Sequence, residues 1–572
     1  MSNRRRFLQG TVVAGGAAAL AACSQKSTDE QASDAQAENS KAAAAQSDLP
    51  GTAWERLDYD KVKEGGQVTL AVSQLPNNWN YNQADGALKD LSDIRKTMGF
   101  LGELKVDEEG KVTLNPDYVE SAEVTSEDPQ IITVKYNPKA VWSDGTPIVV
   151  ADLIGQWKAQ NGTNEAFEAG ITSGWNQIKE IRQTSDEYNF EIEFSTPFAD
   201  WIQMVHPDVP QTVTKDPETF NKGYLDQPTP SKGPFVVTNI DKTGGVVTLG
   251  RNEKWWGRAP KLETVIFKVV DQSTQPQSFA NGEIDALDIA TGDVLSQAKN
   301  RKDAKIQTSN GLTWTHLTIN TQGGNGVLAD EKVREAIARG INRDAVGQAV
   351  VGPLEAPITL QDNFIFMPGQ DGYEDSFGGL KYDSAAAEKI LEDAGWTKNG
   401  DVREKDGKQL ALSITIPADT KSNSDRAKQV QSDLNKIGFK IELKTVPTDA
   451  YFDENIQPKN FDLVTFSWVG TLFPQSSGLN ILYPVSSEQN YTNFDDDATL
   501  KPLNDAALGE LDPAKRIEAS NAFSKEVAKH FTVIPFYVTP NIWGVKDGLV
   551  NYGASLFEGN DSHDWTMVGF KG

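Results

Sequence analysis

Residues 424–443, SDRAKQVQSDLNKIGFKIEL, have the pattern of a one-sided helix followed by a strand. The apolar residues of the first part recur at helical spacing and share one face: Ala427, Val430, Leu434 and Ile437. Gly438 suits the left-handed residue that ends many helices. The residues after it alternate between apolar and polar, as in a half-buried strand: Phe439, Ile441 and Leu443. A one-sided helix lying between strands indicates an α/β fold with parallel crossover connections.

Further elements of the same kind flank this unit. Residues 410–416 alternate like a strand, and Asp383 is placed to cap a helix that stops at a Gly-Trp pair. Asp330 is placed to cap one helix over 331–346. In the first half, Thr146 followed by proline predicts the start of another helix. These helices are short and apolar on one side, so we expect them to coat sheets.

The chain begins with the pattern of an export signal. Arg4–Arg6 precede an apolar run far shorter than the ~18 residues that span a bilayer, so the run is not a membrane helix. Asn3–Leu8 resembles a twin-arginine signal, and Leu20–Cys23 resembles a lipobox. These resemblances imply that residues 1–22 are removed, that Cys23 carries lipid, and that the protein is anchored outside the cytoplasmic membrane.

Composition restricts the possible partners. The net charge of -26 argues against nucleic acid and against anionic lipid surfaces. Cys23 is the only cysteine, so no intrachain disulfide can form. Residues 23–50 almost lack aromatic and β-branched side chains, which predicts a disordered tether before a folded body that begins near Trp54.

Seven stretches, in order, resemble the peptide-type extracellular solute-binding proteins of ABC importers, which form family 5. They are VWSDGTPIVVADL (141–153), SKGPFVVTNI (231–240), LGRNEKWWGRAPKLETVIFKVV (249–270), NGEIDAL (281–287), VREAIARGINRDAV (333–346), YDSAAAEKILEDAGW (382–396) and SDLNKIGFKIEL (432–443). FSWVGTLFP, 466–474, is most similar to the actinobacterial branch. The similarity extends from about residue 66 to the C-terminus.

The resemblance implies a periplasmic-binding-protein-like α/β fold of type II, in the peptide-binding cluster. Two hinged lobes would enclose the ligand, and an extra domain would sit on the first lobe. Carried over, the first lobe comprises 51–85, 230–312 and 533–572, the extra domain 86–229, and the second lobe 313–532. A monomer that passes peptides to a membrane permease, without cofactor, metal or covalent chemistry, is the implied function.

The resemblance also suggests ligand-binding residues. A peptide would lie along Ser467–Thr471 as an added strand and bond to the backbone of Ser467 and Val469, with Trp468 as a pocket wall or core residue. Thr471 departs from the family, whose peptide binders often carry an aspartate there to pair with the peptide's ammonium group. Asp462 lies too near the start of the strand to replace it. The further candidates are Trp79, Asn80, Asn490, Tyr491 and Thr539.

Alternatives remain open at this point. Trp314, His316, Thr318 and Asn320 share one face of a predicted strand, which suits either a cleft or a satisfied interior histidine. The same fold could hold an oligosaccharide, opine, haem or metal complex, or could present ligand to a sensory partner. An exported hydrolase is a further alternative, although the sequence has no Gly-x-Ser-x-Gly elbow, no His-Glu-x-x-His helix and no P-loop.

Overall fold

The computed structural model describes residues 49–107, 111–418, 420–448, 450–487, 489–556 and 564–572. The predicted signal at 1–22, the lipidation site Cys23 and nearly all of the tether lie outside these ranges. No helix within them combines the length and apolar character needed to cross a membrane.

The second lobe is built on a six-stranded mixed sheet coated by helices. The strands, in spatial order, are Thr359–Leu360, Val533–Val538, Thr313–Ile319, Leu463–Val469, Ala411–Pro417 and Lys440–Val446. Ala411–Pro417 runs parallel to both neighbours, and the other pairs are antiparallel. The helices are Glu331–Gly340, Arg343–Val350, Ser384–Asp393, Lys421–Lys436, Pro474–Leu482, Asp497–Gly509 and Pro513–Ala528. This confirms the predicted α/β class.

The crossover unit forms as its sequence predicts. Helix Lys421–Lys436 buries Val430 and Leu434 completely in the core beneath the sheet, and each such side chain contributes about 1.5–3 kcal/mol. Gly438 has a φ of +97°, a conformation that a side chain would oppose, and Lys440–Val446 then pairs in parallel with Ala411–Pro417. The Asp383 carboxylate caps Ser384–Asp393 by accepting from the Ala386 N–H at 2.8 Å.

Two predicted helices begin or end elsewhere. The single helix expected over 331–346 is two helices, because the Asn342 side chain accepts from the Ala345 N–H at 3.1 Å and starts the second one. Thr146 does not start a helix: its N–H and hydroxyl donate to the Asp144 carboxylate, at 2.9 and 2.6 Å, and close a turn. The helix there is Val150–Gln160, whose N-terminus is held by the Asp152 carboxylate.

The first half of the chain and its C-terminus form two further packed units. The first lobe has a four-stranded sheet, Gln67–Val72, Thr264–Val269, Val246–Arg251 and Phe235–Asp241, and a three-stranded sheet, Ala286–Asp288, Asn541–Lys546 and Ala304–Ser309. The region predicted as the extra domain has the antiparallel sheet Val119–Glu127, Gln130–Tyr136, Asn189–Phe194 and Ile178–Gln183. Helix Val150–Gln160 packs in this region's own core, whereas helix Lys89–Thr97, although it lies in the segment predicted as the extra domain, packs Leu91 and Ile94 into the first-lobe core.

Two adjacent chain segments join the lobes. Strand Ala304–Ser309 of the first lobe leads through Gly311 to Thr313–Ile319 of the second, and Val533–Val538 returns through Thr539 to Asn541–Lys546. The segments touch: the Thr539 N–H donates to the Thr313 carbonyl at 2.7 Å, and a Cβ on Gly311 would lie 2.3 Å from the Thr539 carbonyl oxygen. Short paired connections of this kind suit a hinge.

The return crossing differs from the expected boundary. We expect the last segment of the first lobe to begin at 533, yet Val533–Val538 pairs with Thr313–Ile319 inside the second-lobe sheet. The return therefore falls at Thr539–Pro540. Alternating apolar residues identify a strand but do not indicate which of two sheets it joins, and this explains the difference.

Candidate functional site

Strand Leu463–Val469 lies inside the six-stranded sheet but is only partly paired on one side. We call it the edge strand, because the unpaired part of that side behaves as a sheet edge. Its antiparallel pairing with Thr313–Ile319 covers its whole length. On the other side, its parallel pairing with Ala411–Pro417 covers only Leu463 and Val464. Within the described ranges, the remaining residues of that side have no neighbouring strand, so the sheet opens there like a gap.

The hydrogen-bond parity shows which backbone groups face this gap. The Gly470 N–H donates to the Leu312 carbonyl at 3.0 Å, and the Asp462 carbonyl accepts from the Asn320 N–H at 3.0 Å. In this register, the N–H and C=O groups of the even-numbered residues of the edge strand therefore point toward Thr313–Ile319. Those of the odd-numbered residues point to the opposite side. The N–H and C=O groups of Ser467 and Val469 point into the gap, where the Val469 residue is 55% exposed.

An aromatic stack supports one face of the edge strand. The Trp468 indole is nearly parallel to two neighbouring rings, His316 at 6.2 Å between centroids and 13°, and Tyr491 at 6.0 Å and 6°. Phe466 meets Trp468 edge to face at 5.2 Å between ring centroids. Aromatic packing of this kind fixes the orientation of Trp468 at the margin of the gap.

The other face of the edge strand is polar. The Ser467 and Thr315 hydroxyls are 2.8 Å apart, and the Arg426 Nε donates to the Thr465 hydroxyl at 3.2 Å. Arg426 reaches this face from helix Lys421–Lys436 and is only 5% exposed. In the part of the chain that the structure describes, its partners are the hydroxyls of Thr465 and Tyr537, and no carboxylate pairs with it.

A small cavity of about 120 Å³, which we call the apolar cavity, adjoins the end of the edge strand. Trp468, Val469, Gly470 and Thr471 form one wall, and helix Pro474–Leu482 contributes Ser477, Gly478 and Ile481. Leu312, Trp314, Phe364, Ile365 and Met367 close its floor. The cavity therefore opens beside the same backbone groups that face the gap.

A buried ion pair joins the region predicted as the extra domain to the second lobe. Both Asp200 carboxylate oxygens accept from the Arg516 guanidinium, and the bond from Nη2 to Oδ2 is 2.9 Å long. Ser476, at the start of helix Pro474–Leu482, also donates to Asp200. Asp200 is 4% and Arg516 8% exposed. The structure is thus one in which the two bodies are in contact beside the apolar cavity.

Comparison with known proteins gives the family. Residues 113–490 match the model of the bacterial extracellular solute-binding proteins, family 5, middle region. This chain belongs to the family 5 solute-binding proteins. The oligopeptide-binding protein OppA of Mycobacterium tuberculosis H37Rv is 34% identical over 524 residues, which cover 90% of this chain and 86% of OppA. OppA of Lactococcus lactis subsp. cremoris is 24% identical over 79% of this chain and 78% of its own.

Solved structures share the fold of this solute-binding protein. The periplasmic EDTA-binding protein EppA superposes with a TM-score of 0.81, at 24% identity over 92% of this chain and 99% of EppA. AppA of Bacillus subtilis, solved with a nonapeptide, has a TM-score of 0.69 at 19% identity, over 89% of this chain and 100% of AppA. The family resemblance and the two-lobed fold predicted from the sequence are confirmed.

The structure of this solute-binding protein brings together five of the candidate residues. Ser467, Trp468, Val469 and Thr471 follow one another along the gap and the apolar cavity, and Tyr491 packs on Trp468. Trp468 is half-buried and serves as both cavity wall and packed aromatic. These residues remain proposed ligand contacts.

Four other candidates lie elsewhere in this solute-binding protein. Trp79 is 2% exposed in the first-lobe core, and the Asn80 side chain donates to the Phe220 carbonyl at 2.9 Å, so both are held in the interior. The Asn490 side-chain amide donates to the Leu482 and Pro484 carbonyls and accepts from the Thr492 N–H, so the amide is engaged within its own loop. Thr539 lies at the crossing between lobes.

Position 471 carries a hydroxyl where peptide binders of the family often have a carboxylate, and the Asp462 carboxylate is already hydrogen-bonded inside the protein. The Thr471 hydroxyl accepts from the Phe473 N–H and donates to Ser477, both at 3.1 Å, and so shapes the turn into helix Pro474–Leu482. Asp462 accepts from the Gly324 N–H and from the backbone N–H and hydroxyl of Ser413.

Sequence reasoning did not find Arg426, Asp200 or Arg516, because nothing in their local pattern differs from ordinary surface charge.

Substituting His316 by glutamine is expected to flatten the pH dependence of stability. Burial, with a smaller contribution from the charge of Arg426, lowers the pKa of His316 to about 3. An unfolded chain takes up this proton near pH 6.5, so between the two values the unfolded state binds more protons and stability falls as the pH is lowered. The contribution is about 1.4 kcal/mol per pH unit. Urea unfolding between pH 7 and 4 measures it, and parallel curves for variant and wild type would contradict it.

Proposed function

We propose that this solute-binding protein captures oligopeptides between its lobes and delivers them unchanged to an ABC permease. The observation that carries the proposal is the open side of the edge strand, where the backbone groups of Ser467 and Val469 face the gap. A peptide main chain can bond there as an additional strand, which gives affinity without reading side chains. The identity of 34% to an oligopeptide-binding protein over 90% of the chain supports the same cargo.

Arg426 supplies charge for such a ligand. A guanidinium presents five donors in a fixed fork that suits a carboxylate, and the described partners of Arg426 are neutral hydroxyls. A buried charge is stabilised when a counter-charge reaches it. We propose that a carboxylate of the peptide, terminal or side-chain, pairs with Arg426 when the lobes close.

Acetylating the N-terminus of a peptide is expected to leave its affinity within about threefold. Position 471 carries a threonine, and the Asp462 carboxylate is used by Gly324 and Ser413, so no aspartate at these positions pairs with a free ammonium group. A counter-charge at a buried ammonium would otherwise contribute several kcal/mol. Isothermal titration of matched free and acetylated pentapeptides measures the ratio. A loss of more than 30-fold on acetylation would show that another carboxylate holds the terminus.

The location and the anchor are part of the same proposal. Membership of an extracellular family supports export, and the lipobox resemblance at Leu20–Cys23 supports attachment through lipid on Cys23. We further propose a monomer without catalytic activity. Cys23→Ala is expected to release the protein from the membrane fraction, and mass spectrometry of the mature N-terminus would detect the diacylglyceryl group.

Native mass spectrometry of freshly purified protein tests the cargo. Bound masses that differ by amino-acid residues support oligopeptides, whereas one mass that is a multiple of a hexose, or that of a chelate, would replace them by a non-peptide cargo. Incubation of peptides with the protein, followed by mass analysis, tests for cleavage. Intact peptides support a receptor, and fragments would indicate the hydrolase alternative.

A further inference from the structure

The N-terminal part of the folded body runs along the hinge between the lobes. We call residues 49–57 the hinge strap. Backbone N–H···O bonds of 2.6–2.9 Å join residues 51–55 of the strap to residues 551–556 of the first lobe, in antiparallel orientation. The Asn551 side chain both donates to and accepts from the backbone of Leu57, at 2.9 Å each. Most of the strap is therefore a fixed part of the first lobe.

One residue of the hinge holds the start of the strap. Asn310 follows strand Ala304–Ser309 and leads into the crossing to the second lobe. Its backbone N–H donates to the Pro50 carbonyl at 2.9 Å, and its side-chain amide donates to the Leu49 carbonyl at 2.8 Å. Gly369 of the second lobe lies so near that a Cβ there would be 3.3 Å from the Asn310 amide nitrogen.

Leu49 extends the strap from the hinge to the second lobe. It is half-buried, and it lines a crevice of about 10 Å³ together with four residues of that lobe: Pro357, Thr359, Pro368 and Val538. A crevice of this size is no larger than one water molecule needs, so the strap and the second lobe are closely packed there. The strap thus touches both lobes and one of the segments that connect them.

The strap is attached unequally to the two lobes. A series of hydrogen bonds holds residues 51–57 on the first lobe, whereas the contact with the second lobe is an apolar one made at Leu49. When the lobes rotate apart about the hinge, the second lobe moves relative to the strap, so this apolar contact is the one that changes. A contact made in one arrangement of the lobes and lost in another shifts the equilibrium toward the first arrangement.

We propose that the hinge strap holds the second lobe in the closed arrangement of this structure and thereby raises the affinity of the cleft for its ligand. The inference goes beyond the proposed function, because it concerns the balance between open and closed lobes whatever the cargo is. The segment that leads to the proposed lipid anchor then ends in an element that controls closure.

Leu49→Ala, made in a Cys23→Ala chain that stays out of the membrane, tests the strap. By small-angle scattering, the ligand-free variant is expected to have a larger radius of gyration than the Cys23→Ala parent. Its affinity for pentaalanine, measured by calorimetry, is expected to fall about fivefold, because three carbon atoms lose part of their burial in the closed form and the competent fraction falls.

Leu57→Ala is the matched control. Leu57 is also half-buried and belongs to the strap, but its backbone is bonded to Asn551 of the first lobe, away from the hinge. This variant should lower the melting temperature and leave both the radius of gyration and the affinity within error of the parent. Melting temperatures also show that each variant is folded.

Asn310→Ala gives a second, independent variant, since it removes the amide that holds the Leu49 carbonyl. If the strap acts as a unit, combining Asn310→Ala with Leu49→Ala loses no more affinity than the larger of the two single losses. Fully additive losses would show that the two residues act separately and would overturn the strap.

The outcomes separate the two proposals. If no peptide binds the parent, the proposed function fails, while scattering of the ligand-free proteins still decides on the strap. If peptides bind but Leu49→Ala keeps the radius of gyration and the affinity of the parent, the strap is overturned and peptide capture stands. An equal effect of Leu57→Ala also overturns the strap, because packing on the first lobe would then explain the loss.

Discussion

Replacing Asp200 by alanine is expected to weaken ligand affinity about 100-fold and to open the ligand-free protein in solution. Asp200 belongs to the segment predicted as the extra domain and Arg516 to the second lobe, and the structure buries their ion pair. Without Asp200, closure would bury the Arg516 guanidinium without its counter-charge, while the open form would leave it hydrated. Breaking a buried pair costs about 3–5 kcal/mol, and each 1.4 kcal/mol is a factor of ten in affinity.

Small-angle scattering and calorimetry measure the two effects of Asp200→Ala. The matched control is Glu103→Gln, which breaks the buried pair of Glu103 with Lys232, whose Nζ is 2.8 Å from the carboxylate. Glu103 lies in the segment predicted as the extra domain and Lys232 in the first lobe, and the contacts of the Lys232 ammonium group all fall within these two segments, so this variant should lower the melting temperature and leave affinity unchanged. An Asp200→Ala protein with wild-type scattering and an affinity within threefold would show that the pair does not control closure.

Local patterns in the sequence predicted the second lobe better than the site. The unit from 410 to 443 forms as expected, because periodic burial, a cap and a glycine all favour the same local structure. The prediction for Ser467 and Val469 rests on family resemblance, and it stays a prediction; the structure adds that their backbone groups face a side of the strand where, among the described residues, no strand pairs beyond Val464. Pairing of this kind depends on where a distant strand ends.

Long-range contacts account for what the sequence did not predict. Asp200 and Arg516 are 316 positions apart, and each is an ordinary charged residue in its own segment. Trp79 and Asn80 follow a strand as cleft residues would, but hydrogen bonds to the 220–224 region hold them in the interior. Polar residues near a strand end identify a turn, and only the packing of the next domain decides whether that turn faces a cleft.

Replacing Val469 by proline is expected to weaken peptide affinity about 30-fold with little change in folding stability. The Val469 N–H faces the gap, so its loss removes no hydrogen bond to Thr313–Ile319, and proline is tolerated where a strand N–H has no partner strand. In the complex, however, the peptide carbonyl opposite would be buried without a donor, at a cost of about 1–3 kcal/mol. The affinity is measured by calorimetry and the stability by thermal unfolding.

Val469→Thr separates the backbone from the side chain. It keeps the N–H and the branched shape at Cβ, so its affinity for pentaalanine should remain within threefold of wild type. Peptides with one N-methylated residue at a time provide the complementary test, because methylation removes the donors that would reach the Ser467 and Val469 carbonyls. Strand addition requires that affinity falls at alternate peptide positions, since every second residue of a strand faces its neighbour. A proline variant that binds like wild type, or a uniform response to methylation, would place the peptide main chain away from the edge strand.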